Sequence, residues 1–162
     1  MSIDPAAKRT ILNIIESGRD MSLATLRRDG YPQANLISYA NDGLRLYFAT
    51  ARNSGKVVNI QQCAKVSLTI NLPYNTWSDL KALSVAATAQ VLADDAAESM
   101  RAQALLKQKF STPWDVMPQD PTGQTVYIKV TPWLVKVLDY SQGFGHQMLI
   151  RLDSDEAPDS NA

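Results

Sequence analysis

The chain has 162 residues, 45% hydrophobic and 20% charged, which is the make-up of a folded protein with one domain and one core. Its 16 Lys+Arg balance 16 Asp+Glu, and zero net charge argues against a dedicated nucleic-acid binder, which should be basic. No apolar run approaches the roughly 18 residues needed to span a membrane, and one cysteine with one histidine makes an all-protein zinc site unsuitable as an expectation.

The N-terminal stretch MSIDPAAKR lacks the apolar run of a signal peptide, and a lone Cys63 forms no internal disulfide, so the expected location is cytoplasmic. Residues 4–17 predict a helix with Asp4 as N-cap, Pro5 in first position and Gly18 as terminator. Ile11, Ile14 and Ile15 form its apolar stripe, which covers a core or a partner. Strands follow at 21–27, 33–40 and 44–50, joined by the turn signals Asp29-Gly30 and Asp42-Gly43, and this pattern predicts an antiparallel meander. A short helix is expected from Ser54 to Gln62. Residues 65–72 and 83–92 alternate as half-buried strands do. Asp95 and Glu98 suggest a capping box for a helix over 95–109. A Pro-rich loop precedes a last long strand at 125–140, whose ladder must break or bend at Pro132. Residues 1–152 read as a single domain and the acidic tail 153–162 as disordered. Six or more mostly antiparallel strands, with helices inserted rather than alternating, predict a barrel or sandwich and exclude a Rossmann fold.

The stretch YFATARNSGKVVNI, residues 47–60, hands a strand over to a helix through Thr50, Arg52, Ser54, Gly55 and Lys56. A helix start offers unpaired N–H groups and the positive end of its dipole to an anion. Gly55 lets the backbone approach, Thr50 and Ser54 bring hydroxyls, and Arg52 and Lys56 bring charge. That set suits a phosphate. The plainer alternative is a helix capped by Ser54 with solvated charges. It is not a P-loop, because no glycine opens the motif and Val57 follows Lys56. A Cys63–His146 nucleophile pair is a weak candidate, because Cys63 falls in a segment expected to pack.

The order helix, SLATLRRDGYPQANLISYANDGLRLYFATARNSGKVVNIQQCAKVSLTI, strand, helix, and a last strand ending VLDYSQGFGH resembles the pyridoxamine 5′-phosphate oxidase-like family over roughly residues 5–150. The resemblance implies a mainly β fold, a split antiparallel β-barrel with peripheral helices. It further implies a homodimer holding FMN in two clefts between subunits, with a small-molecule substrate and neither nucleic-acid nor membrane partners. Residues Thr50, Arg52, Ser54, Gly55 and Lys56 match the positions that hold the flavin phosphate. Asn35, Leu36, Ile37 and Ser38 match the strand that lines the flavin ring, largely through its backbone. Ser84 is implied to face the ligand, with a solvent-facing serine as the alternative.

The resemblance also carries the C-terminal region across the dimer towards the cofactor. Trp133, Tyr140 and Phe144 would then stack on a flavin or a flat substrate, or simply pack in the interface. His146 would hydrogen-bond to the flavin or substrate, or be structural. The family's true oxidases end in an Arg-x-His-Asp-Arg-like signature. Here GFGHQMLIRL stands in its place without the Asp-Arg pair, so vitamin B6 synthesis is not expected. Three functions follow: an FMN-dependent oxidoreductase; a deazaflavin-dependent reductase, whose longer acidic cofactor would call on Arg27, Arg28 and Arg52; or a flavin- or haem-binding module without turnover, with His146 as the sole histidine for iron. The substrate and the electron acceptor are not written in the sequence.

Overall fold

Asp4 starts the first helix, α1 (Pro5–Ser17), by accepting the Ala7 N–H at 2.9 Å. Gly18 ends it with its N–H on the Ile14 carbonyl. Ile11, Ile14 and Ile15 are buried, so the stripe faces the chain's own core. The computed structural model describes residues 3–110 and 124–152. Nearly all of the expected Pro-rich loop, and the whole tail 153–162, lie outside them.

Strand β1 (Asp20–Leu26) turns at Gly30, φ +82°, into β2 (Pro32–Ser38), with pairing unbroken from Asp20↔Ser38 to Leu26↔Pro32. Strand β3 (Ala40–Asp42) turns at Gly43, φ +57°, into β4 (Arg45–Ala51). Both Asp-Gly turns are where the sequence puts them, but they do not join into a meander. The expected second strand breaks at Tyr39, and its two parts go to opposite edges of an eight-stranded sheet. With β5 (Lys65–Asn71), β6 (Lys81–Val91) and β7 (Thr125–Asp139), the order is β2-β1-β5-β6-β7-β4-β3.

That order requires curvature. Ser38 closes one end of the path and Ala40 opens the other. Two residues apart, their Cα atoms are at most about 7 Å from each other. A seven-strand path whose ends lie that close must curl into a barrel, and the interior holds Leu23, Phe48, Ile70, Leu83, Ile128 and Val137 with the three isoleucines of α1. Tyr39 makes the crossing. Its ring is fully buried and its hydroxyl donates to the Ile15 carbonyl at 2.7 Å. Burial, and then the charge of Asp20, hold its phenol well above the usual range.

Strand β7 continues through Pro132 as one strand, and the expected break falls in its ladders. Ala86 faces Leu134 and Ala87 faces Pro132, so Trp133 is the extra residue of a bulge. On the other edge of β7, β4 pairs residues 125–130 and β8 (Gln147–Arg151) pairs residues 134–138. Pro132, which has no N–H to give, falls in the gap between them. Strand β8 is absent from the sequence-based reading. Among the described residues no helix is long and apolar enough to cross a membrane.

The expected capping box of the third helix does not form. After α2 (Gly55–Gln62), helix α3 (Ala97–Lys109) starts from Ala96 without a side-chain cap. Glu98 is drawn to the sheet instead, accepting from the Tyr47 hydroxyl at 2.9 Å and from Lys129 Nζ at 3.0 Å. Burial and the bond to Glu98 push the Tyr47 phenol up to about 12. Burial alone would raise the Glu98 carboxyl, but the bonds from Lys129 and Tyr47 outweigh it and hold it below the usual value. A lowered carboxyl stabilises the fold above its unfolded value, and the contribution is lost as pH falls through the folded one. Glu98→Gln is therefore expected to destabilise the protein at pH 7 by about 1 kcal/mol, kept small by solvent screening. The difference from the unsubstituted protein should shrink towards pH 3 in urea titrations; a gap independent of pH would show that the carboxylate charge contributes nothing.

Candidate functional site

The end of β4 meets the start of α2 in a polar corner. Lys56 Nζ donates to Thr50 Oγ1 at 3.2 Å, and Thr50 Oγ1 donates to Ser54 Oγ at 3.3 Å. Ser54 occupies the N-cap position but makes no side-chain cap bond. The N–H groups of Val57 and Val58 close on the Ser54 carbonyl, at 3.0 and 3.2 Å. Those of Gly55 and Lys56 are left as donors at the helix start. Apart from its chain neighbours and its own helix backbone, a Cβ placed on Gly55 would come no nearer than 3.7 Å to a protein atom, at Gln33 Oε1, and the residue needs no left-handed backbone. Nothing in the described chain demands glycine there, so the open space above it is available to a ligand.

A second layer supports the corner. Asn59, buried on the core side of α2, donates to Thr25 Oγ1 at 3.0 Å and to Gln33 Oε1 at 3.1 Å. This ties the helix to β1 and β2. The sequence reading missed Asn59, Thr25 and Gln33. The available signal was a polar residue between Val57 and Ile60 on the apolar face of the helix.

Arg52, in the turn between β4 and α2, makes none of these bonds. Its guanidinium Nη2 reaches both oxygens of Asp94, at 2.6 and 2.5 Å. On β2, Ile37 is buried in the core, Leu36 is 76% exposed, and Ser38 donates to Asp20 at 2.5 Å. Asn35 Oδ1 is buried without a partner. Strand β2 pairs only with β1, so its outer edge offers alternate backbone N–H and C=O groups.

Ser84, Trp133 and His146 are not brought to this corner by the chain itself. Ser84 stands exposed on β6, three strands from β2, or about 14 Å along the sheet. Trp133 is seven residues along β7 from Val126, the partner of Thr50, or about 24 Å away, and Arg151 lies 5.4 Å over its ring. His146, half-buried, follows the turn beyond Asp139, at the end of the sheet farthest from Thr50. Cys63 sits just past α2 rather than within it and near the start of β5, remote from that turn, so the two do not pair as nucleophile and base. Beside His146, Tyr140 and Phe144 meet at 5.3 Å, Phe144 and Trp77 at 6.3 Å, and Trp77 and Tyr74 at 6.0 Å.

One row of residues crosses the outer sheet face. Leu36, Ser22, Thr69, Ser84 and Lys136 are successive partners across β2, β1, β5, β6 and β7, and all are exposed. Small side chains in the middle of that row leave the face flat.

The sequence model of the family described as pyridoxamine 5′-phosphate oxidase matches residues 7–136. The chain belongs to the pyridoxamine 5′-phosphate oxidase-like family. Solved structures agree on its split β-barrel. A heme binding protein from Mycobacterium smegmatis superposes with a TM-score of 0.74 at 17% identity, covering 92% of this chain and 59% of its own. The chain thus spans about three fifths of that protein's length. General Stress Protein 26 from Bacillus anthracis gives 0.64 at 24% identity, covering 90% of this chain and 98% of its own. An F420 reductase gives 0.61 at 25% identity, covering 76% of this chain and 93% of its own. No curated protein matches the chain in sequence. As a member of the oxidase-like family, the chain places its polar corner between β4 and α2, beside the free edge of β2.

Proposed function

We propose that this chain is an FMN-binding oxidoreductase that works as a homodimer on a small-molecule substrate, in the cytoplasm. The observation that carries the reading is the corner itself: two hydroxyls, a lysine and two helix-start N–H groups around a glycine that packing does not require. These donors suit a phosphate dianion. The free edge of β2 offers backbone groups to a flavin ring, and the orphaned Asn35 Oδ1 is an acceptor that a flavin imide N–H would satisfy. FMN would supply the redox chemistry, and the protein binds and orients it.

What one chain lacks supports the dimer. Ser84, Trp133 and His146 lie far from the corner, and a second copy laid on the flat outer face is a way to bring them near it. Obligate interfaces of this kind are large. Sedimentation at micromolar concentration is expected to give a dimer mass that persists on dilution; a monomer would sink the cleft assignment.

The deazaflavin reading, suggested by the reductase neighbour, has less support. Of its three candidate bases, Arg27 is paired with Asp29 at 2.7 Å and Arg52 with Asp94 at 2.5 Å. Haem, suggested by the mycobacterial neighbour, would rest on His146 alone. The deciding experiment is the visible absorption spectrum of the purified protein, as isolated and after addition of each cofactor. The bands of oxidised flavin are expected. A Soret band or deazaflavin absorption in their place overturns the reading.

A further inference from the structure

Arg52 stands two residues beyond Thr50, in the turn between β4 and α2, yet both oxygens of Asp94 hold its guanidinium. Asp94 comes from the turn before α3, 42 residues away in sequence, so the pairing is made by the fold and not by local chain geometry. The backbone is held too, with the Arg52 N–H on the Gln124 carbonyl at 2.9 Å. The segment from β4 into α2 brings two positive charges, Lys56 and Arg52, and Asp94 pairs with the second, so the three formal charges sum to +1, short of a phosphate dianion.

We propose that Asp94 is a specificity-determining residue, which holds Arg52 out of phosphate contact and keeps the junction's charge low. This rests on the FMN reading. Affinity for the phosphate is then carried by Lys56, the hydroxyls of Thr50 and Ser54, and the helix start, with Arg52 a bystander. A neutral partner at 94 would free a guanidinium able to take two phosphate oxygens at once.

The test is a double-mutant cycle on the full chain, titrated with FMN and with riboflavin by flavin fluorescence. Asp94 is an exposed residue in a surface ion pair, which adds little to stability, so Asp94→Asn is expected to fold normally. It should bind FMN about three- to ten-fold more tightly than the unsubstituted protein, with riboflavin unchanged. Arg52→Ala alone should shift FMN affinity by less than about two-fold, and in the Asp94→Asn background it should abolish the gain. Weaker or unchanged FMN binding in Asp94→Asn overturns the proposal, as does a loss of about ten-fold in Arg52→Ala alone. Lys56→Glu separates the two layers. If it weakens FMN selectively while Asp94→Asn changes nothing, only the role of Asp94 falls. If neither discriminates FMN from riboflavin, the phosphate assignment falls with it.

Discussion

Lys56→Glu is expected to weaken FMN binding by roughly ten-fold to a few hundred-fold and to leave riboflavin nearly unaffected. The substitution removes a charge-assisted hydrogen bond, typically about 1.5–3 kcal/mol, and sets a carboxylate beside a dianion. It also frees the Thr50 hydroxyl, which Lys56 engages at 3.2 Å, so the corner loses its internal order as well. The helix should survive, because a carboxylate in the first turn of α2 is favoured by the helix dipole. Riboflavin has the same ring and no phosphate. Equal losses for both ligands, or none for either, would reduce residues 51–56 to an ordinary helix start.

Gly18→Ala is expected to have the largest effect on stability. The new Cβ would stand 2.5 Å from the Tyr39 hydroxyl, 2.8 Å from Ile70 Cγ2 and 3.1 Å from the Ile14 carbonyl. Neither neighbour can yield easily, since Tyr39 and Ile70 are both fully buried. Displacing Tyr39 also threatens its 2.7 Å bond to the Ile15 carbonyl, leaving a buried phenol unsatisfied. Overpacking and the lost bond together destabilise by about 2–4 kcal/mol, after an offset of about 0.4–1 kcal/mol from the stiffer unfolded chain. In a chain of this size that lowers Tm by about 5–15 °C. Adding Tyr39→Phe removes the nearest atom and should restore part of the loss. If the two substitutions prove additive, the hydroxyl contact is not the source of the strain.

Local signals were legible where one short stretch carries the whole cause. The two Asp-Gly turns need positive φ, and glycine supplies it at 30 and 43. Alternation over 65–72 survives as the buried row Val66, Leu68 and Ile70. The grouping of Thr50, Ser54, Gly55 and Lys56 was also readable, because a strand end and the next helix start are neighbours in any fold. What failed depended on distant partners. Nothing near Tyr39 announces that β2 stops there; alternation continues through Ile37 to Tyr39, and only burial of Ala40 directly after it marks the change. Glu98 has the position of a capping residue, but Tyr47 and Lys129 offer it more than the helix end does. Strand β8 is short and mostly exposed, so its composition carries little apolar signal. Arg52 reads as a phosphate ligand until Asp94, from another turn, is placed beside it.

The one-residue link at Tyr39 also governs errors in assembly. A slip of β2 along β1 by one position would turn Ile37 out and Leu36 in, as any such slip exchanges the faces of a strand. In an ordinary sheet a flexible loop would absorb the offset before the next strand. Here β3 follows at once, so the same slip would pull Ala40 past Tyr47 at the far edge and drag Tyr39 from its slot. Mispairing at either edge is therefore penalised at both, and the free border of β2 is kept in one alignment without a strand beside it.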